Sequence, residues 1–231
     1  MKNEGKTAIV LGATGVTGEL VLQLLLTDTR YKSVVVFARR STGITHFKLQ
    51  EHIIDLFNLL DYKNDFLGDE VYCCIGTTKA KTPKEEEYIK IDLGIPVAAG
   101  RLCISNKIKT FMVISALGAK VGSPIFYNRV KGEMESIILE LSIPFVYILQ
   151  PSLIDSSRDE RRLMEQFIKH LFYIVNPLLI GRLRKFRSIE PMCIAKSMIW
   201  LANNTYPSGR LISDKIVELS RRYVGETRPI K

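Results

Sequence analysis

A doubly wound α/β fold, one parallel sheet with helices on both faces, is predicted by three observations. Apolar, often β-branched runs recur along the chain as TAIVL, SVVVF, EHIID, EVYCCI, TFMVIS and PFVYIL. Most are apolar nearly throughout rather than on alternate residues, the pattern of a strand covered on both sides, and stretches of helical spacing lie between most of them. The third observation is GATGVTG, Gly12 to Gly18, set between the first run and a helical face of Leu20, Val21, Leu24 and Leu25.

Within that loop Gly12, Gly15 and Gly18 stand three apart. Such glycines let the backbone turn sharply, approach a pyrophosphate with no Cβ in the way, and pack the next helix against the sheet. Thr14, Val16 and Thr17 fill the positions between and after them, where the free N–H groups of a helix start favour phosphate. The loop therefore predicts a dinucleotide site and a Rossmann fold.

The second run, SVVVF, ends in Ala38, Arg39 and Arg40. An acidic residue near this point would hold a ribose 2′-hydroxyl; two guanidiniums instead suit a 2′-phosphate and an adenine face. The cofactor expected is NADP(H), with NAD(H) the lesser alternative. Residues 40–51 are too short and aperiodic for a full crossover helix, so this connection is degenerate or a loop. Asp55, at the end of the third run, is placed either to meet the adenine edge or to serve as a loop or cap residue.

Residues 83–107 read as one helix with its face on Tyr88, Ile91, Ile95, Ala98 and Leu102, bent by Gly94 and Pro96. A further helix starts at Ser123 as cap, with Pro124 in its first position, and ends near Leu141. Beyond Pro151 the expectations are helices over 159–172 and 190–203 and a last strand, RLIS, at 210–213. With no linker or repeat in 231 residues, the chain reads as a single domain: a cofactor-binding core over 1–150 and a small C-terminal substrate-side extension over 151–231.

The strand TFMVIS delivers Ser115 to the carboxyl edge of the sheet, where open α/β sheets bind ligands. Tyr127 follows twelve residues later and Lys131 four after that, which puts phenol and ammonium one turn apart on one helix face. A tyrosine with an ordinary pKa near 10 needs a nearby cation to exchange protons at neutral pH, and Lys131 is that cation. Ser115 would orient a carbonyl or alcohol, Tyr127 would give or take the proton, and Lys131 would lower the phenol's pKa and hold the ribose.

Together these residues resemble the short-chain dehydrogenase/reductase superfamily, in its atypical branch of Tat-interacting-protein-like oxidoreductases with NAD(P)H-binding Rossmann domains. GATGVTG looks like that family's glycine loop, CIGTTKAK (74–81) like the segment after the fourth strand, and YNRVKGEME (127–135) like the active-site helix. The resemblance implies that Gly76 and Thr77 touch the cofactor and that LQPSL (149–153), with Pro151, lies beside the nicotinamide. The family's fourth helix often supplies an asparagine to a proton relay; this chain carries Asp92 at the matching place.

The expected function is an NADP-dependent oxidoreductase acting on a small carbonyl or alcohol. Two alternatives share the motifs: a non-catalytic NADP(H)-binding redox sensor that signals to a protein partner, and a nucleotide-sugar epimerase or dehydratase, for which the region after Pro151 is small. The net charge of +9 is concentrated from Arg158 onward, where 15 Lys and Arg face 7 Asp and Glu. Its densest stretch, GRLRKFR at 181–187, is a solvated rim or an attractor of an anionic substrate; too few aromatics interleave with it to suggest nucleic acid. Cys73, Cys74, Cys103 and Cys193 have no metal-ligand spacing and read as packing residues. No apolar run reaches the roughly 18 residues of a membrane span, and no leader precedes the glycine loop, so a cytoplasmic protein is expected.

Overall fold

The computed structural model describes residues 5–154 and 188–225. Seven parallel strands form one sheet in the order β3-β2-β1-β4-β5-β6-β7: β1 Lys6–Leu11, β2 Tyr31–Ala38, β3 Leu49–Ile53, β4 Glu70–Cys73, β5 Thr110–Ile114, β6 Phe145–Gln150 and β7 Gly209–Ile212. The described helices are α1 Val16–Thr27, α2 Glu85–Ile89, α3 Ile95–Ser105, α4 Phe126–Glu140, α5 Pro191–Asn203 and α6 Ser213–Arg222.

Near-continuous apolarity in the strands has the predicted cause. Along β1, Ala8 and Val10 pack into one layer with α1, α5 and α6, while Ile9 and Leu11 pack into the other with α3 and α4. All four are fully buried, so polar residues have no face to occupy. The chain reverses its winding between β1 and β4, the switch point beside which open α/β sheets form their binding crevice at the carboxyl ends of the strands.

Several boundaries differ from the sequence reading. The strand expected at 51–55 lies at Leu49–Ile53, and a 3-10 turn, Leu56–Tyr62, follows it. The connection after Arg40 is a loop without a helix. The single helix expected over 83–107 is α2 and α3 joined by a π turn at Lys90–Gly94, in which the Ile95 N–H reaches back to the Lys90 carbonyl. Pro96 explains the widening. It has no N–H to give the Asp92 carbonyl one turn back, and its ring would clash there in α geometry.

Ser123 does not cap α4: its Oγ accepts from the Ile125 N–H at 3.2 Å in the preceding turn, and the helix begins at Phe126 with no side-chain cap. Helix α6 was not foreseen, because its buried stripe holds few apolar residues, chiefly Ile216 and Leu219. Of the extension expected over 151–231, residues 188–225 lie in the body of the fold. There β7 continues the sheet beside β6, and α5 packs on α1. The helix expected at 159–172 and the basic stretch 181–187 fall outside the described residues.

At the opposite edge, the amino ends of β1, β2 and β4 share a buried polar cluster. Tyr31 and Tyr72 both donate to Glu70 Oε1, the latter at 2.6 Å, and Lys6 Nζ reaches Glu70 Oε2 at 3.0 Å and Asn203 Oδ1 at 3.0 Å. This ties three strands to the end of α5. Tyr72→Phe removes one donor from a carboxyl group that water cannot reach, and should cost about 1–3 kcal/mol. Chemical denaturation checks it; an unchanged midpoint would mean that Glu70 finds another partner.

Candidate functional site

Strand order lines up the sequence-predicted residues along one edge. From the β3 side of the sheet toward the β7 side come Asp55 after β3, Arg39 and Arg40 after β2, the glycine loop after β1, Gly76 and Thr77 after β4, Ser115 after β5 and Pro151 after β6. The loops are stitched to one another: the Cys74 N–H donates to the Leu11 carbonyl at 2.9 Å, Ser115 N–H to Leu149 at 2.7 Å, and Leu117 N–H to Pro151 at 2.9 Å.

In the glycine loop, Gly12 has φ +81°, and a Cβ there would lie 2.6 Å from the Cys74 carbonyl oxygen. A Cβ on Gly18 would lie 2.1 Å from the Gly12 oxygen. The first glycine therefore serves the turn and the third the close seating of α1. Gly15 caps α1 and is exposed, so the amides of Val16, Thr17 and Gly18 open the helix at the crevice. Thr17 itself is buried, and Thr14 is half-buried at the rim.

Arg39 and Arg40 are exposed where β2 ends. The chain beyond them is held by Glu51 of β3, whose carboxylate accepts from Ser41 Oγ at 2.7 Å and from the Thr42 N–H and Oγ1 at 2.8 and 2.7 Å. Desolvation opposes the Glu51 charge, but these donors outweigh it and lower its pKa below the ordinary carboxylate value. Glu51 was not singled out from the sequence; nothing in its spacing marks it. Of the two readings open for Asp55, the structure shows the cap, with Oδ1 accepting from the Phe57 N–H at 3.0 Å.

On α4, Tyr127 and Lys131 continue to Glu135, four residues further on the same face. Exposure falls along this row, from a Tyr127 that is 39% exposed to a Lys131 and a Glu135 that are buried. Lys131 Nζ lies 2.8 Å from Asp92 Oδ1 and 3.3 Å from the Ile114 carbonyl oxygen. The other Asp92 oxygen accepts from the Thr77 N–H at 2.8 Å. Asp92, carried inward by the π turn, thus joins the loop after β4 to α4, beneath the exposed Gly76.

Ser115 is brought to the sheet edge, but its hydroxyl donates to Glu135 inside the fold. Glu135 also accepts from Gln150 Nε2 at 2.8 Å and from Arg210 Nε at 2.6 Å, so one buried carboxylate binds α4 to the loop after β5, to β6 and to β7. A serine whose proton is so committed offers a ligand lone pairs only. Glu135 went unrecognised in the sequence, although the i, i+4 spacing that links Tyr127 to Lys131 leads directly to it.

Tyr127 stands edge-on to Tyr88, with ring centroids 6.5 Å apart, and the Tyr88 hydroxyl donates to the Thr77 carbonyl at 3.2 Å. Burial pushes the Tyr127 phenol above its ordinary 10.0; Lys131 pulls it down and Asp92 pushes it up again. Lys131 does pull this pKa down, as expected, but burial outweighs it and Asp92 offsets part of it, so the net direction is upward. Burial likewise pushes the Cys73 thiol to about 12 and raises Cys74 and Cys103, as befits packing residues. Among the described residues no three His, Cys, Asp or Glu side chains gather into a metal site.

Among solved structures, MoeE5 in complex with UDP-glucose and NAD superposes with a TM-score of 0.64 at 15% identity, covering 94% of this chain and 81% of that one. The Bordetella bronchiseptica enzyme WbmG in complex with NAD gives 0.66 at 12% identity, over 95% and 77%. In sequence, protein HTATIP2 of Rattus norvegicus is 27% identical over 175 residues, 74% of this chain and 72% of that protein. Protein FMP52-1, mitochondrial, of Scheffersomyces stipitis is 29% identical over 156 residues, 66% and 69%. These likenesses are consistent with the resemblance to the atypical, Tat-interacting-protein-like short-chain dehydrogenase/reductases. No family model matches the chain. One expectation is overturned: its FMP52 relatives, that of Candida albicans among them, are mitochondrial by name, which conflicts with a purely cytoplasmic protein. No described helix is long and apolar enough to cross a membrane.

Proposed function

We propose that this short-chain dehydrogenase/reductase is an NADP(H)-dependent reductase of small carbonyl compounds in which Tyr127 supplies the proton. The observation that carries this reading is a half-exposed phenol one helical turn from Lys131, at the same sheet edge as the glycine loop. The loop fits a pyrophosphate: a Cβ at Gly12 or Gly18 would strike backbone, and the first amides of α1 face the crevice. Arg39 and Arg40, exposed beyond β2, suit a 2′-phosphate, and NAD in the MoeE5 and WbmG structures supports a nicotinamide dinucleotide. Gly76, Thr77 and Pro151 flank the remaining length.

The cofactor, when bound, supplies the hydride. Tyr127 gives its proton to the substrate oxygen as negative charge gathers there, and a raised proton affinity keeps the phenol loaded for that task at neutral pH. Lys131 presents its ammonium beneath Gly76, within the stretch where a ribose would lie. Ser115 acts through Glu135, fixing α4 against the sheet so that Tyr127 is held in place.

A second reading, a nucleotide-sugar epimerase, is favoured by solved neighbours such as MoeE5 with UDP-glucose. The sensor reading leans on the basic C-terminal third, part of which lies outside the described residues. One assay separates all three. The purified protein is given NADPH with aldehydes and ketones and, separately, NAD with UDP-sugars. Net NADPH oxidation with alcohol formation supports the reductase; sugar interconversion without net oxidation supports the epimerase; cofactor binding with neither reaction supports the sensor. For the reductase, Arg39→Ala with Arg40→Ala should raise the NADPH KM about 10- to 100-fold through lost charged hydrogen bonds, and leave the NADH KM within about twofold. Equal effects on both would remove the arginines from 2′-phosphate recognition.

A further inference from the structure

The ammonium that should activate Tyr127 is already engaged. Asp92 and Lys131 are both buried, 0% and 3% exposed at their side chains, with Nζ and Oδ1 2.8 Å apart. No hydrogen bond of good geometry reaches that Oδ1, so its charge is answered through the ion pair, while Oδ2 is held by the Thr77 N–H. The titratable groups facing this centre are Lys131 from α4, Asp92 from the π turn, Tyr88 from α2 and Cys73 from β4. Burial keeps Tyr88 and Cys73 neutral at physiological pH. What remains is one cation and one anion beside one phenol.

We propose that Asp92 is a positioning residue that, by closing a buried ion pair with Lys131, withholds the lysine's charge from Tyr127 and commits this site to proton donation, hence to carbonyl reduction rather than alcohol oxidation. A lone buried ammonium would stabilise a neighbouring phenolate strongly, because the surrounding dielectric is low. A carboxylate 2.8 Å from it turns that monopole into a dipole, whose field at the phenol is weaker. Asparagine at this position keeps one acceptor oxygen, enough for Lys131 or for the Thr77 N–H but not for both, and leaves the positive charge whole. Burial lowers the Lys131 pKa, Asp92 and Tyr127 raise it, and the net direction is upward, so the lysine is charged in the working range. The directional consequence rests on the reductase reading; the coupling among the three side chains does not.

The test reads the phenol itself and needs no substrate. The chain has nine tyrosines, so the near-ultraviolet phenolate absorbance of each protein is titrated against its own Tyr127→Phe counterpart, and the difference reports Tyr127 alone. Asp92→Asn should lower the Tyr127 pKa by about one unit or more, the size of shift a buried neighbouring charge commonly produces. An unchanged or raised pKa in that variant overturns the proposal. If Asp92→Asn does not fold, Lys131→Met carries the test with the double variant. Lys131→Met alone leaves Asp92 uncompensated and should raise the Tyr127 pKa, and adding Asp92→Asn should bring it back down. Single and double variants that titrate alike would mean that Asp92 does not act on Tyr127. A cofactor assay on the same proteins keeps the two readings apart, since loss of the reductase reading leaves the phenol titration untouched.

Discussion

Tyr127→Phe should lower carbonyl reduction about 100- to 10,000-fold, the usual worth of a positioned proton donor, and leave NADPH affinity unchanged. The phenol sits at the rim, 39% exposed, and its hydroxyl has no described role in holding the fold, so its removal leaves the ring against Tyr88 and the helix intact. The loss belongs in kcat and kcat/KM equally, because the proton moves only in the transition state. The pH profile gives the same residue a second signature. The active form is the protonated phenol, and its pKa is raised from 10.0, so the reduction rate should stay level through neutral pH and fall only above 10. A rate that rises with pH through the neutral range would instead mark Tyr127 as a base. Turnover retained in the phenylalanine variant would remove it from the reaction.

Gly18→Ala should abolish most cofactor binding and also weaken the fold. Its new methyl would lie 2.1 Å from the Gly12 oxygen and 3.1 Å from the Ala13 nitrogen, all of it backbone, so α1 and the loop must separate. Overpacking of this kind costs about 1–3 kcal/mol of stability, and the displaced α1 amides no longer meet a pyrophosphate. Gly43→Ala is the fitting control. It has φ +74° but open space around it, so it pays for backbone strain and nothing else, and NADPH affinity should not change. Cofactor titration and chemical denaturation of both variants read the two effects. Equal cofactor affinity in the two would mean that the close approach of Gly18 to Gly12 does not shape a binding site.

What the sequence made legible was whatever depends on short spacing. The glycine loop, the doubly buried strands and the Tyr127–Lys131 pair rest on residues within a turn or a strand of one another, and the structure has them in those local relations. Less legible were features set by partners far along the chain. Glu135 is a bland helix-surface residue until Ser115 after β5, Gln150 of β6 and Arg210 of β7 converge on it. Asp92 could be noticed but not interpreted, since its burial depends on a π turn that Pro96 forces and on Lys131 about forty residues away. The same blindness misdirected two readings. Ser115 was aimed at a substrate because its carboxylate partner was unseen, and the pull of Lys131 on Tyr127 was read without the burial and the Asp92 charge that oppose it. Helix α6 was missed for a different reason: a short stripe of Ile216 and Leu219 carries too little periodicity to stand out.

The central claim is a nicotinamide dinucleotide held with its 2′-phosphate against Arg39 and Arg40. Its most direct test is a parallel titration of the cofactor-stripped, full-length protein with NADPH and NADH, following nicotinamide fluorescence. Saturable binding of both, with NADPH tighter by about 10-fold or more, is the predicted result. Binding of neither, or tighter binding of NADH, would contradict it: the first would reduce the glycine loop to a structural turn, and the second would leave the two arginines without a phosphate to hold.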